Sequence, residues 1–98
     1  MEQPRIPTGL PGADLIEKGL ADLDRRVESR ESLLVSIGAP RLSRLGLDVR
    51  DPFPSPERRL YELLRREHGD AAHSRYNALV RRLVSFERAA AATASSRA

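Results

Sequence analysis

The large apolar side chains of this chain recur every three or four residues, and over no useful length do they alternate. Intervals of three and four gather side chains on one face of a helix, whereas alternation would gather them on one face of a strand. No hairpin dipeptide is present, and Leu47–Val49, the one mildly strand-like stretch, is too short to count. Proline and glycine cluster at 4–12, 38–40, 46–56 and 69, which cuts the pattern into helix-sized pieces. The chain therefore reads as all-α, a small single-domain bundle of four to five helices with short connections and a Pro-rich connector.

Local signals set the pieces. Residues 1–12 hold Pro4, Pro7, Gly9, Pro11 and Gly12, a spacing that denies a regular helix and predicts an irregular arm pinned by Ile6 and Leu10. A helical domain over 13–92 follows. Its first helix is expected over 13–27, with Asp14 at the positive end of the dipole. Ile16, Leu20, Leu23 and Val27 share the inner face, and Glu17, Asp24 and Glu28 make an acidic stripe opposite. Asp14–Lys18 and Asp22–Arg26 are spaced for i,i+4 ion pairs worth about 0.3 kcal/mol each.

Ser29 is the expected cap of a helix over 30–37, and the period runs on through Leu33, Leu34, Ile37, Leu42 and Leu45. Pro40 interrupts it, so a short helix over 40–45 should start with that proline and stop at Gly46. Residues 46–55 form an extended, stiff connector in which Phe53 plugs a gap in the body. Ser55 as cap, Pro56 in first position and Glu57 in the first turn open a helix over 56–68, with Leu60, Tyr61, Leu63 and Leu64 inward. Gly69 ends it. Asp70 should cap a last helix over 71–90, whose inner face is Ala72, Tyr76, Leu79, Val80, Leu83 and Phe86, leaving 93–98 as a frayed tail.

Composition bounds the function. Of 98 residues only 27 are large and apolar, 14 of them Leu, enough for one small core and too few for a large active-site cavity. No Cys is present, which excludes disulfides, thiolate nucleophiles and cysteine zinc sites. No apolar run approaches the roughly 18 residues that span a bilayer. Met1–Arg5 shows no basic region leading into an apolar stretch. A cytoplasmic protein without a membrane partner is the expectation. The 16 Arg against the single Lys18 fit a GC-rich coding sequence rather than selection for nucleic acid. Position says more. Residues 1–50 carry eight basic and eight acidic side chains, so the net +3 lies wholly in the second half, and residues 71–86 contain Arg75, Arg81 and Arg82 with no acid.

Three chemistries are open to these residues. His68, Asp70, His73, Ser74, Arg75, Tyr76 and Asn77 form the one varied polar cluster. Adjacent helical residues point about 100° apart, which does not suit a Ser74–His73 nucleophile pair, and the spacing of His68, Asp70 and His73 as three metal ligands matches no metal motif. Arg66 and His73, with six residues between them as in some helical ribonucleases, span the Gly69 turn. These residues read as caps and surface contacts, so no catalytic, cofactor or metal residue is assigned. A nucleic-acid binder is the second option. Residues 55–90 have the outline of a helix-turn-helix, with Arg75, Asn77 and Arg81 able to read base edges.

Protein contact is the reading favoured. Ser74, Ala78, Ser85, Ala89 and Ala92 form a strip of small residues on the last helix, and Arg75, Arg81, Arg82 and Arg88 flank it. The acidic Glu17, Asp24 and Glu28 are complementary in sign and meet them within one molecule or between two. The expected function is a non-enzymatic module, in an adaptor, regulatory or antitoxin-like role, that binds a protein partner or itself as a homodimer through Ser74, Arg75, Ala78, Arg81, Arg82 and Ser85.

Overall fold

The computed structural model describes residues 9–96. Among them lie five α-helices, α1 (Ala13–Asp24), α2 (Arg30–Ile37), α3 (Ala39–Arg44), α4 (Pro56–His68) and α5 (Ala72–Ser96), with a 3-10 turn at Gly69–Ala71 and no strand. The all-α bundle is as expected. Ile6 and most of the predicted arm fall outside the described residues, while Leu10 packs half-buried against the core.

The central element is α2, which touches all four other helices. Glu31 through Ser36 are all buried, including Ser32, Ser36 and Glu31. A helix enclosed on every side has no solvent face, so its polar residues must find partners inside. They do. The Ser32 hydroxyl donates to the Val27 carbonyl at 2.8 Å, and the Ser36 hydroxyl to the Ser32 carbonyl at 2.8 Å. Around α2, the core is built from Ile16, Leu20 and Leu23 of α1, Leu33, Leu34 and Val35, Leu60 and Leu64 of α4, and Leu83 and Phe86 of α5.

The first helix is shorter than its apolar period suggests. It stops at Asp24, where Arg26 turns left-handed at φ 57°. The Val27 amide then donates to Asp22 and the Arg26 amide to Leu23, which closes the helix in a Schellman arrangement. Val27, expected inside, is consequently 46% exposed. Glu28 lies beyond the helix rather than on its stripe. The predicted Asp22–Arg26 and Asp14–Lys18 pairs do not form. Instead Asp22 is buried and takes hydrogen bonds from Lys18 Nζ at 2.7 Å, Arg25 Nη2 at 3.1 Å and the Ser29 hydroxyl at 2.8 Å. Ser29 caps α2 as predicted, its hydroxyl accepting from the Ser32 amide at 3.1 Å while Ser32 Oγ accepts from the Ser29 amide at 2.8 Å. One aspartate and one serine thereby bind the end of α1 to the start of α2.

At Gly38 the chain passes from α2 into α3, with Pro40 in the second helical position rather than the first. Gly46 ends α3 at φ 96°, and the Leu47 amide reaches back to the Leu42 carbonyl. Leu47 and Leu42 are both buried, which completes that cap. The connector is less uniformly extended than its alternating prolines imply, because Asp51 (φ 54°) and Ser55 (φ 48°) adopt the left-handed region. Phe53 is half-buried against the core, as expected. Its amide donates to Ser36 Oγ at 3.1 Å, and the Arg26 guanidinium lies 4.4 Å from its ring centre.

Three capping and length expectations are corrected. Ser55 precedes α4 but makes no capping hydrogen bond, since its left-handed backbone replaces the extended geometry such a cap uses. Asp70 sits exposed in the 3-10 turn and does not cap α5. The last helix runs on to Ser96, so 93–96 are helical rather than frayed, the Thr93 hydroxyl donating to the Ala89 carbonyl at 3.0 Å. On α5 the enclosed side chains are Ala72, Leu83, Phe86, Glu87 and Ala90, whereas Tyr76, Leu79 and Val80 are half-buried.

Two buried carboxyls give the fold opposite responses to acid. Hydrogen bonds from Lys18 and Ser29 hold the Asp22 carboxyl below the ordinary carboxylate range. The stability it contributes is complete above that range and is lost as pH falls through its lowered pKa. Burial pushes the Glu87 carboxyl up, against the opposing pull of Arg41, whose Nη1 lies 3.9 Å away, and Glu87 Oε2 has no hydrogen-bond partner. Its cost therefore develops as pH rises through the ordinary range and is complete above the raised pKa. At neutral pH, Asp22→Asn should destabilise by about 1–3 kcal/mol and Glu87→Gln should stabilise. Both differences should shrink in acid. Urea titrations at pH 7 and pH 3 that show no such convergence would count against these environments.

Candidate interaction surface

The sequence places a basic, acid-free stretch on the last helix, and its side chains separate by helical geometry. Arg75, Arg81 and Arg82 are all exposed, as are Ser74, Ala78 and Ser85. Two clefts run along this outward side. One, of about 330 Å³, is bordered by Arg75, Ala78, Leu79 and Arg82 of α5 together with Leu15, Leu64 and the start of α2. The other, of about 440 Å³, is bordered by Ala78, Arg81, Arg82 and Ser85 together with Pro11 and Gly12. Ala78 and Arg82 stand between the two. The close approach of Gly12, the residue before α1, to the backbone of α5 shapes the second cleft. A Cβ on Gly12 would lie 3.0 Å from the Arg82 carbonyl oxygen, and the residue sits at φ 79°.

Of the six residues singled out on α5, five border these clefts. Ser74 does not, and its hydroxyl donates to the Ala71 carbonyl at 3.1 Å across the turn that starts the helix. Arg82 makes one long ion pair, 3.9 Å from the exposed Asp14. Arg75 and Arg81 make none among the described residues. The acidic set is not a single patch. Among the described residues Glu17 and Asp24 are exposed on α1 without an ion pair, whereas Glu28 accepts a 2.9 Å hydrogen bond from Arg59 of α4. Part of the complementary charge is therefore satisfied within the molecule, but by α4 rather than α5.

Of the nucleic-acid set, Asn77 and Arg81 stand one turn apart on α5, whereas Arg75 points elsewhere. Arg75 and Asn77 are two residues apart, which turns them roughly 200° from each other. Arg75 borders the first cleft, while Asn77 is half-buried on the far flank with Nδ2 3.2 Å from His73 Nε2. His73 also packs edge-on to Tyr61, ring centres 6.5 Å apart. The polar cluster thus spreads out, and among the described residues no three His, Asp or Glu side chains gather as a metal site. No described helix is long and apolar enough to cross a membrane.

Sequence reasoning missed Arg30, which α2 brings to the first cleft, and Leu15, which follows α1 to the same place. Neither carries a local signal, because the cleft is assembled from four helices. It also missed Gly19, whose lone position within a helical period was a signal for close packing. No protein-family model matches the chain, and neither the curated proteins nor the solved structures provide a match.

Proposed function

We propose that this chain is a non-enzymatic protein–protein interaction module, in an adaptor, regulatory or antitoxin-like role, that docks through the outward side of α5 and self-associates there. The observation that carries the reading is the pair of clefts on either side of Ala78 and Arg82, bordered on α5 by Arg75, Arg81 and Arg82, which among the described residues make a single ion pair between them, the 3.9 Å contact of Arg82 with Asp14. Small side chains at 78 and 85 allow a second helix to approach, and the arginines favour one that bears carboxylates. The exposed Glu17 and Asp24 supply that charge on another copy of the chain. A thin core gains from such burial.

Light scattering across concentration and salt is the test. The expected result is a mass that doubles with concentration, falls back at high salt, and stays monomeric in the Arg75→Glu/Arg82→Glu variant. A strict monomer at the highest concentration and lowest salt would end the self-association reading. The second reading, nucleic-acid binding, is favoured by the helix–turn–helix outline of α4 and α5 and by outward Arg75 and Arg81. Phosphate contacts would make its affinity fall steeply with salt. Failure to bind random duplex even at low salt would remove it.

A further inference from the structure

The cleft between the start of α2 and the middle of α5 has a chemistry of its own. Its inner part is hydrocarbon, from buried Leu64 and half-buried Leu15 and Leu79, and its outer part carries the exposed guanidinium groups of Arg30, Arg75 and Arg82. The one carboxylate at its border, Glu31, is already engaged by Lys18 at 3.8 Å and Arg30 at 3.6 Å. That leaves Arg75, which has no ion pair among the described residues, and Arg82, whose only one is the long contact to Asp14. The cleft volume of about 330 Å³ lies at the lower end of the range of small-molecule sites. Guanidinium groups bind carboxylates through parallel N–H donors, and the leucines offer no polar atom to anything beneath.

We infer that this cleft binds a small amphipathic carboxylate, with its hydrocarbon against Leu15, Leu64 and Leu79 and its charged end on Arg75 and Arg82. Such a ligand needs both halves of the site. A cation of the same shape would meet three arginines, and a neutral one would leave them without a counter-charge. The inference goes beyond docking through α5 and does not require it, although Arg75, Ala78 and Arg82 border both surfaces.

The experiment is a titration of the isotope-labelled full chain, followed by amide NMR shifts, with octanoate, octylammonium and octanol in parallel. Octanoate should give saturable shifts confined to the neighbourhoods of Leu15 and Leu64, the start of α2 and residues 75–82. Arg75→Ala and Arg82→Ala should each weaken it about tenfold, and Ala78→Trp, a change at an exposed helical position, should block it. Arg44→Ala, at an exposed α3 position that borders neither cleft, should leave affinity unchanged. Non-saturating shifts, equal binding of octylammonium or octanol, or full affinity in a folded Arg75→Ala/Arg82→Ala variant would overturn the assignment. Octanoate binding by a protein that light scattering shows to be monomeric would separate this site from the failure of self-association.

Discussion

Gly19→Ala is expected to destabilise the protein by about 3 kcal/mol, the upper end of what overpacking costs, against the direction that helix propensity alone requires. In an isolated helix the same change stabilises by up to about 1 kcal/mol, because alanine restricts the unfolded chain and glycine does not. Here α1 and α2 cross at Gly19. A Cβ there would fall on the Glu31 carbonyl oxygen and 2.7 Å from Val35 Cγ1. The first of these is backbone of the most enclosed helix in the molecule, so no side-chain rotation relieves the clash. The two helices must move apart, and Ile16, Leu20 and Leu23 then lose their contacts with Leu33 and Leu34. Each kcal/mol lowers Tm by roughly 4–8 °C in a domain of this size, so thermal melts followed by circular dichroism resolve the sign at once. A Tm equal to or above that of the parent chain would show that α1 and α2 do not pack at this residue.

Phe86→Ala is expected to cost about 3–5 kcal/mol and Leu83→Ala about 2–5 kcal/mol, each a large share of the roughly 5–15 kcal/mol that holds a small domain together. Phe86 is wholly enclosed and Leu83 is 2% exposed; Leu83 meets the end of α2 at Gly38, and Phe86 lies beside Gly12 at the start of α1. The Leu83 methyl groups fill the space above Gly38, where an added Cβ would come within 2.9 Å of one of them. Leu79, one turn earlier on the same face, is only half-buried, because it borders the cleft that α2 and α5 leave open. Leu79→Ala should therefore cost less than Leu83→Ala. Urea denaturation of the three variants checks the order. Equal losses at 79 and 83 would mean that the cleft closes in solution.

Helix number and most boundaries were legible, since period, proline and glycine act within a few residues. The α2 span, the Ser29 cap, the Gly46 stop and the α4 span all follow from such signals. The end of α1 was not. Val27 continues the apolar period, yet Asp22 is drawn into hydrogen bonds with Ser29, and the Arg26–Val27 turn follows from that knot. Ser55 and Asp70 have the composition of caps without the backbone geometry that capping needs.

The outward arginines of α5 were equally legible, because one helix sets both its inner and its outer face. The clefts beside them were not, since Leu15, Arg30 and Leu64 reach one of them from separate helices.

Periodicity and punctuation by themselves determined that this chain forms helices, and which side of α5 turns to solvent, because those properties depend on neighbours three or four residues away. Only the tertiary structure decided that Glu31 through Ser36 of α2 are buried, that Gly19 must lack a side chain, and that Asp22 and Glu87 are buried. Each of these depends on which distant backbone arrives at the same point in space, and no local spacing encodes that meeting.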